Sequence, residues 1–257
     1  ELRTEQQPLA QGGAQIRAAL KGDLHCHSAW SDGSSSLEEM MTAAKALGYD
    51  YQAITDHSPV REAVRGLSAQ RLMDQVQFVG DLNYAMPDFR VLSGIDVEIL
   101  PDGRLDQDQD LLLSLDVVVA SAHTHLSLVA EAMTQRLLTA IANPATNVLS
   151  HGTDELATSE QGVRSAFDAE AIFAACREFN VAVEINTCPK RRTPPDDLLE
   201  LALGTGCYFS INTDAHAPGE LEWIAYGCET AEQHNIPVDR IINLWDADRL
   251  LDFCRKG

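Results

Sequence analysis

Short apolar runs that end in histidine or a carboxylate recur along this chain, and they limit its possible folds more than any other feature. Two histidines stand one residue apart in Asp23-Leu24-His25-Cys26-His27, and Asp32 follows in the turn Trp30-Ser31-Asp32-Gly33. Thr55-Asp56-His57, Asp96-Val97-Glu98, Ala122-His123, Ser150-His151 and Thr213-Asp214-Ala215-His216 close later runs. Alternate residues of a strand face one side, so His25 and His27 share a direction, as do Asp214 and His216. Cys26, between the first pair, faces the other way. Seven of the eight histidines lie at or just beyond such ends, and His234, in a polar helical stretch, is the exception.

The apolar runs read as strands at 23–27, 51–56, 90–98, 116–122, 146–150, 181–186 and 208–213. Helical periodicity fills the intervals near 37–47, 68–85, 127–142, 166–179 and 195–204. Ser36, Ser68 and Asp168 offer N-caps, and Gly48 marks the end of the first of these helices. Seven strands alternating with helices give a parallel α/β architecture. An open doubly wound sheet would gather its ligands at one switch point. Here ligand-type residues close strands one to five and seven. A closed barrel brings every strand end to one rim, so a distorted (β/α)7 barrel with its site at the C-terminal rim is the expected fold. Residues 1–20 read as a tail or linker, 21–257 as the domain, and the stretch from Trp223 to Gly257 as helices closing the barrel.

The 257 residues suffice for one domain with a sizeable core. No apolar run approaches the ~20 residues needed to cross a bilayer, and the polar opening Glu1-Leu2-Arg3-Thr4-Glu5 does not resemble a signal peptide. A cytoplasmic location without membrane contact is therefore expected. The chain opens on Glu1 rather than Met, which suggests an excised piece of a longer chain. Six cysteines without a C-x-x-C pair argue against zinc ribbons and a disulfide framework, and read as small buried residues. A net charge of −20 repels a long duplex. Divalent cations bound among the carboxylates would reverse the sign locally, which suits a phosphate end or a small phosphate ester.

Imidazole and carboxylate ligands together suit zinc, manganese or iron. A lone strand-end histidine is ordinarily a hydrogen-bonded residue. It is the ordered set that points to a metal cage of His25, His27, Asp32, His57, Glu98, His123, His151, Asp214 and His216. Glu98 could bridge two ions through its two oxygens. His125 has the parity to face the pocket and is expected to line the substrate site. Asp96 shares the parity of Glu98 and would support the cage from behind, while Asp56 would cap a helix or orient a neighbour.

The same residues identify a resemblance. His25-Cys26-His27, Thr55-Asp56-His57, Glu98, His123, His151 and Asp214-Ala215-His216 resemble the motifs of the PHP (polymerase and histidinol phosphatase) family. Lys21-Gly22-Asp23-Leu24-His25, Leu100-Pro101-Asp102-Gly103, Glu184-Ile185-Asn186 and Asn243-Leu244-Trp245 are similar to the C-terminal PHP domain of bacterial and archaeal family X DNA polymerases. The resemblance implies three divalent metal ions, Mn2+ and/or Zn2+, with Fe possible. His25, His27, Glu98 and Asp214 would hold one, Asp32, His57 and His216 the second, and Glu98, His123 and His151 the third. Asp32, where some relatives carry His, would favour a harder ion such as manganese.

Two positions stand out against that pattern. After strand five, His151-Gly152-Thr153-Asp154-Glu155 replaces the polymerase-like His-Pro-Thr-Gly-Arg and puts acid where a base would meet DNA. After strand six, Arg191 falls at the family's arginine and is expected to clamp a substrate phosphate with its planar fork. The expected chemistry is metal-dependent phosphoester hydrolysis through a metal-bridging hydroxide, with Glu98 and Asp214 as catalytic ligands. The substrate would be a DNA 3′ end, attacked as by a 3′-5′ exonuclease or 3′-phosphoesterase. The alternatives are a small phosphomonoester, such as a nucleotide or histidinol phosphate, or a non-catalytic module bracing a polymerase domain. Related metal amidohydrolases commonly use a lysine ligand, and no lysine ends a strand here.

Overall fold

A computed structural model describes residues 10, 12–150 and 166–255. Its strands are β1 (Gly22–Asp23), β2 (Tyr51–Ile54), β3 (Arg90–Glu98), β4 (Val117–Ser121), β5 (Val148–Leu149), β6 (Ala182–Asn186) and β7 (Phe209–Asn212). They pair in sequence order, each neighbour parallel, with the connections between them crossing over the sheet. The helices are α1 (Ala14–Ala19), α2 (Leu37–Ala46), α3 (Ala69–Ala85), α4 (Gln109–Leu113), α5 (Ala130–Ile141), α6 (Ala169–Glu178), α7 (Asp196–Thr205), α8 (Ile224–Gln233) and α9 (Ala247–Cys254). Several ladders are shorter than the apolar runs that encode them. Beyond the ladders, single parallel bridges join His57 to Asp96 and Cys26 to Ala215.

The Cys26–Ala215 bridge closes the ring. His27 N–H donates to Ala215 O (2.8 Å) and Asp214 N–H to His25 O (2.9 Å), so the extensions of β1 and β7 meet. At the opposite end Asn243 takes the place of a missing eighth strand. Its Nδ2 donates to Gly22 O (3.1 Å) and Ile211 O (2.8 Å), and its Oδ1 accepts from Ile211 N–H (2.7 Å). Asp23 accepts from the Thr213 N–H and hydroxyl across the same seam. Burial in this dry seam pushes the Asp23 carboxyl up to about 7.

Alternation sorts the strand residues into two apolar layers. Ile54, Val91, Ile95, Val118, Leu149, Val183 and Ile211 face outward against the helices. Leu24, Tyr51, Ala53, Leu92, Val117, Val119, Val148 and Ala182 form a second cluster, plugged by Ile242, Trp245, Leu250 and Leu251. Along each inward face the residues change from apolar to polar toward the C-terminal end: Leu92 to Asp96 and Glu98, Val119 to Ser121 and His123, Ala182 to Glu184 and Asn186. The barrel is thus a greasy plug below and a polar cup above, and the cup is where its ligands collect.

Ser36 caps α2 in a capping box with Glu39, and Ser68 and Asp168 cap α3 and α6, as the sequence leads one to expect. Within the stretch expected to be tail, Ala14–Ala19 forms α1 and buries Ile16 and Leu20 in the main core. The five-residue α4 is an element the periodicity does not reveal. Among the described residues no helix is long and apolar enough to cross a membrane.

Candidate metal centre

Three overlapping groups of ligand atoms occupy the cup: His27, Asp32, His57 and His216; His25, His27 and Asp96; and His57, Asp96 and His123. The segment after β1 supplies His25 and His27, whose Nε2 atoms lie 3.2 Å apart. Asp214 Oδ1 stands 3.0 Å from His27 Nε2 and 3.6 Å from His25 Nε2. Asp96 Oδ2 lies 2.9 Å from His57 Nδ1, 3.3 Å from His123 Nε2 and 3.8 Å from His25 Nε2. At the lip, Asp32 reaches His216 Nε2 (3.4 Å) and His57 Nε2 (3.6 Å).

The carboxylates set the electrostatics. Burial alone would raise the Asp96 carboxyl, but His123, His25 and His57 around it hold it well below its ordinary range. Burial would likewise lower His57, yet Asp32 and Asp96 on its two sides push it up to about 9. His27 goes the other way: burial lowers it, and His57 and His216 add to the effect. A cation entering such a cup would displace protons from these rings.

His25, His216 and the turn of Asp32 are each aimed by a further partner. Glu184, buried on β6, accepts from His25 Nδ1 (2.8 Å) and also from Ser150 Oγ (2.7 Å) and Asn212 Nδ2 (2.9 Å). With Nδ1–H committed there, His25 Nε2 turns its lone pair into the cup. His216 donates from Nδ1 to Asp214 O (2.8 Å), which turns its Nε2 toward Asp32. Asp56 takes the orienting role expected of it. Its carboxylate accepts from Ser28 N–H and Oγ, Ser31 N–H and Oγ, and Gln75 Nε2, pinning the turn that carries Asp32.

Of the two carboxylates of Asp96-Val97-Glu98, the sequence leads one to expect Glu98 in the cage and Asp96 behind it. Among the described residues, Asp96 faces the convergent rings and Glu98 lies beside them, outside the three groups. Glu98 Oε2 instead accepts from His123 Nδ1 (2.9 Å), and Oε1 from the Thr124 hydroxyl (2.6 Å). The reason is height along the strand. Two residues of β3 span about 6.6 Å, so both side chains face inward but only Asp96 reaches the cup floor.

Arg191 sits in a short loop folded back by the Asn186–Thr193 bridge, with Nε 3.7 Å from Asp214 Oδ2. Arg192 turns away over the Tyr226 ring (4.9 Å). His125, at φ 53°, is exposed and outside the three groups. His234 pairs with Asp196 on the surface. His151 and the acidic loop 152–155 lie outside the described residues. Sequence reasoning did not single out Glu184 or Arg136 as partners of the site. A buried carboxylate on the inward face of β6 was the available signal for the first, and a lone arginine in α5 gave none for the second.

The donors fit divalent cations. Ligands bonded at 2.0–2.2 Å to one tetrahedral ion stand roughly 3.4 Å apart, which is the spacing these nitrogens and oxygens keep. Buried His27 Nδ1, His57 Nδ1 and Asp96 Oδ2 make no hydrogen bond, and ions among them would supply the missing partners.

A family model described as PHP domain matches residues 23–244. The DNA polymerase/3′-5′ exonuclease PolX of Bacillus subtilis is 36% identical over 224 residues, covering 87% of this chain and 39% of that protein. A probable phosphatase of Caldicellulosiruptor bescii is 27% identical over 233 residues, covering 87% of this chain and 91% of its own. In fold, the histidinol phosphate phosphatase of Lactococcus lactis, solved with zinc, L-histidinol and phosphate, superposes with a TM-score of 0.55 at 17% identity. It covers 82% of this chain and 93% of that one. With its strand-end ligands gathered in one cup and the family match running through nearly the whole barrel, the chain belongs to the PHP domain family.

Proposed function

We propose that this metal-dependent phosphoesterase hydrolyses phosphoester bonds at DNA 3′ ends, as a 3′-5′ exonuclease or 3′-phosphoesterase. The carrying observation is the convergence of His25, His27, Asp32, His57, Asp96, His123, Asp214 and His216 on one buried cup with unsatisfied donors facing inward. His151 would complete the set. The overlap of three ligand groups supports a trinuclear occupancy by Mn2+ or Zn2+. Bound there, the ions would supply Lewis acidity and an activated water for displacement at phosphorus. Arg191, beside Asp214, would grip the phosphoryl oxygens with its planar fork and neutralise their charge. The depressed carboxyls of Asp32 and Asp96 keep the cup anionic and ready for cations. His125 on the open rim would meet the leaving portion of the substrate.

The 36% identity to the PolX exonuclease supports the DNA-end reading. That polymerase is much longer, so a polymerase partner in the same or another chain is part of the proposal. A second reading, hydrolysis of a small phosphomonoester, is favoured by the phosphatase relative matched along 91% of its length and by the net charge of −20.

A 5′-labelled oligonucleotide incubated with the Mn2+-loaded chain separates the readings. Stepwise shortening, or loss of a 3′-terminal phosphate, is the expected result. Release of inorganic phosphate from nucleotides or histidinol phosphate, with the oligonucleotide intact, selects the second reading. A loaded chain inert toward all of them overturns both.

A further inference from the structure

We infer that Glu98 and Arg136 form a buried positioning pair for His123, with Glu98 fixing the imidazole and Arg136 fixing Glu98. The inference rests on the metal-centre reading and extends it to residues outside the ligand groups. Glu98 and Arg136 are each 1% exposed. Glu98 Oε2 accepts from His123 Nδ1 (2.9 Å) and His123 N–H (3.1 Å), and Oε1 from Thr124 N–H (3.1 Å), the Thr124 hydroxyl (2.6 Å) and Arg136 Nη2 (3.2 Å). Arg136 reaches in from α5 and is itself immobilised. Its Nε donates to Ile99 O (3.0 Å) and Leu100 O (3.1 Å), its Nη1 to Thr124 O (2.8 Å), and its Nη2 to Ile99 O as well.

The chemistry of this arrangement is directional. With Nδ1 occupied by the carboxylate, Nε2, 3.3 Å from Asp96 Oδ2, is the ring nitrogen left to a cation in the cup. Arg136 Nη2 pins Glu98 Oε1 from the α5 side, so the carboxylate holds one orientation toward the ring. The backbone contacts of Arg136 tie β3 to the loop after β4, so the ring stands at one fixed height above Asp96. An ordinary internal ion pair would be indifferent to the His123 ring, whereas this one terminates on it.

The test uses the full chain loaded with Mn2+ or Zn2+, comparing wild type with Glu98→Gln, which keeps the shape, and Arg136→Lys, which keeps the charge. The readouts are bound metal per chain, apparent affinity by chelator competition, and Tm with metal and with excess chelator. For Glu98→Gln the weakest-held ion should bind 10–100-fold less tightly, the range typical of outer partners of metal ligands, with a smaller loss for Arg136→Lys. The Tm gap between loaded and stripped protein should narrow correspondingly. Affinities within twofold of wild type, or Tm losses equal with and without metal, would overturn the pair's positioning role. Should Glu98→Gln not fold, Arg136→Lys decides by the same readouts. A wild-type chain that binds no divalent ion overturns the metal-centre reading itself, which is a distinct result.

Discussion

Asp96 occupies the point where the rings of His25, His57 and His123 converge, and its Oδ2 makes no hydrogen bond. A carboxylate so placed is ionised because the imidazoles surround it, and removing its charge should empty the cup. Asp96→Asn is expected to lower phosphoesterase activity by well over 100-fold, since even an outer partner commonly costs 10–100-fold. Metal analysis should show fewer ions per chain with circular dichroism unchanged; retention of full metal content and activity would refute the assignment. Parity along β3 could not choose Asp96 over Glu98, because both face inward. What separates them is height above the barrel floor, a property of the assembled sheet. His25, His27, His57 and Asp214, by contrast, were legible because spacing at strand ends already fixes their direction. Far from the cup, burial pushes the thiols of Cys207 and Cys228 up to about 12 from an ordinary 9.0. A raised folded-state pKa stabilises fully below the unfolded value, and that contribution disappears as pH climbs from about 9 toward 12. A plot of Tm against pH should therefore bend downward above pH 9, and a Cys207→Ala/Cys228→Ala variant should bend less. Identical alkaline limbs would contradict this.

At the scale of elements, the helices follow from caps and periodicity, whereas the loops between them depend on contacts that no local pattern encodes. The turn 28–33 is the clearest case. Asp56 holds it from beneath, and Arg65 holds it from outside through Nε to Ser31 O (3.0 Å) and Nη2 to Ala29 O (3.0 Å). Gly33 packs so closely that a Cβ there would lie 2.6 Å from Ser28 Cα and carbonyl carbon. Backbone at that distance has to move, and Asp32 moves with it. Gly33→Ala should loosen the group of Asp32, His57 and His216 while leaving the deeper groups intact. The expected signature is loss of about one ion per chain by metal analysis. Wild-type stoichiometry and affinity would show that the turn tolerates the shift. The same dependence on distant contacts explains why α4 and the packing of α1 against α8 escaped the periodicity, both being helices of six residues or fewer. So short a helix carries too few turns to display a repeat.

At the scale of the whole molecule, the site is divided across the seam between first and last strands: His25 and His27 follow β1, and Asp214 and His216 follow β7. The two halves are held in register above by the Cys26–Ala215 bridge and below by Asn243, which is fully buried. Alternating strands and helices made the barrel legible in the sequence, but not this closure, because one asparagine replaces a whole strand pairing. Asn243→Ala would strip the donors to Gly22 O and Ile211 O and the acceptor for Ile211 N–H. Leaving those buried groups unpaired should cost about 3–5 kcal/mol. For a domain of this size the corresponding drop in Tm is roughly 10 °C. If the seam also sets the ligand geometry, metal affinity must fall together with stability. Asp246→Ala is the control, because it removes only the cap on α9 at the barrel floor, a loss of about 1 kcal/mol. That control should lower Tm slightly and leave metal affinity untouched. An Asn243→Ala protein that is destabilised yet binds metal like wild type would show that the upper bridge alone aligns the two halves, and that the asparagine serves stability only.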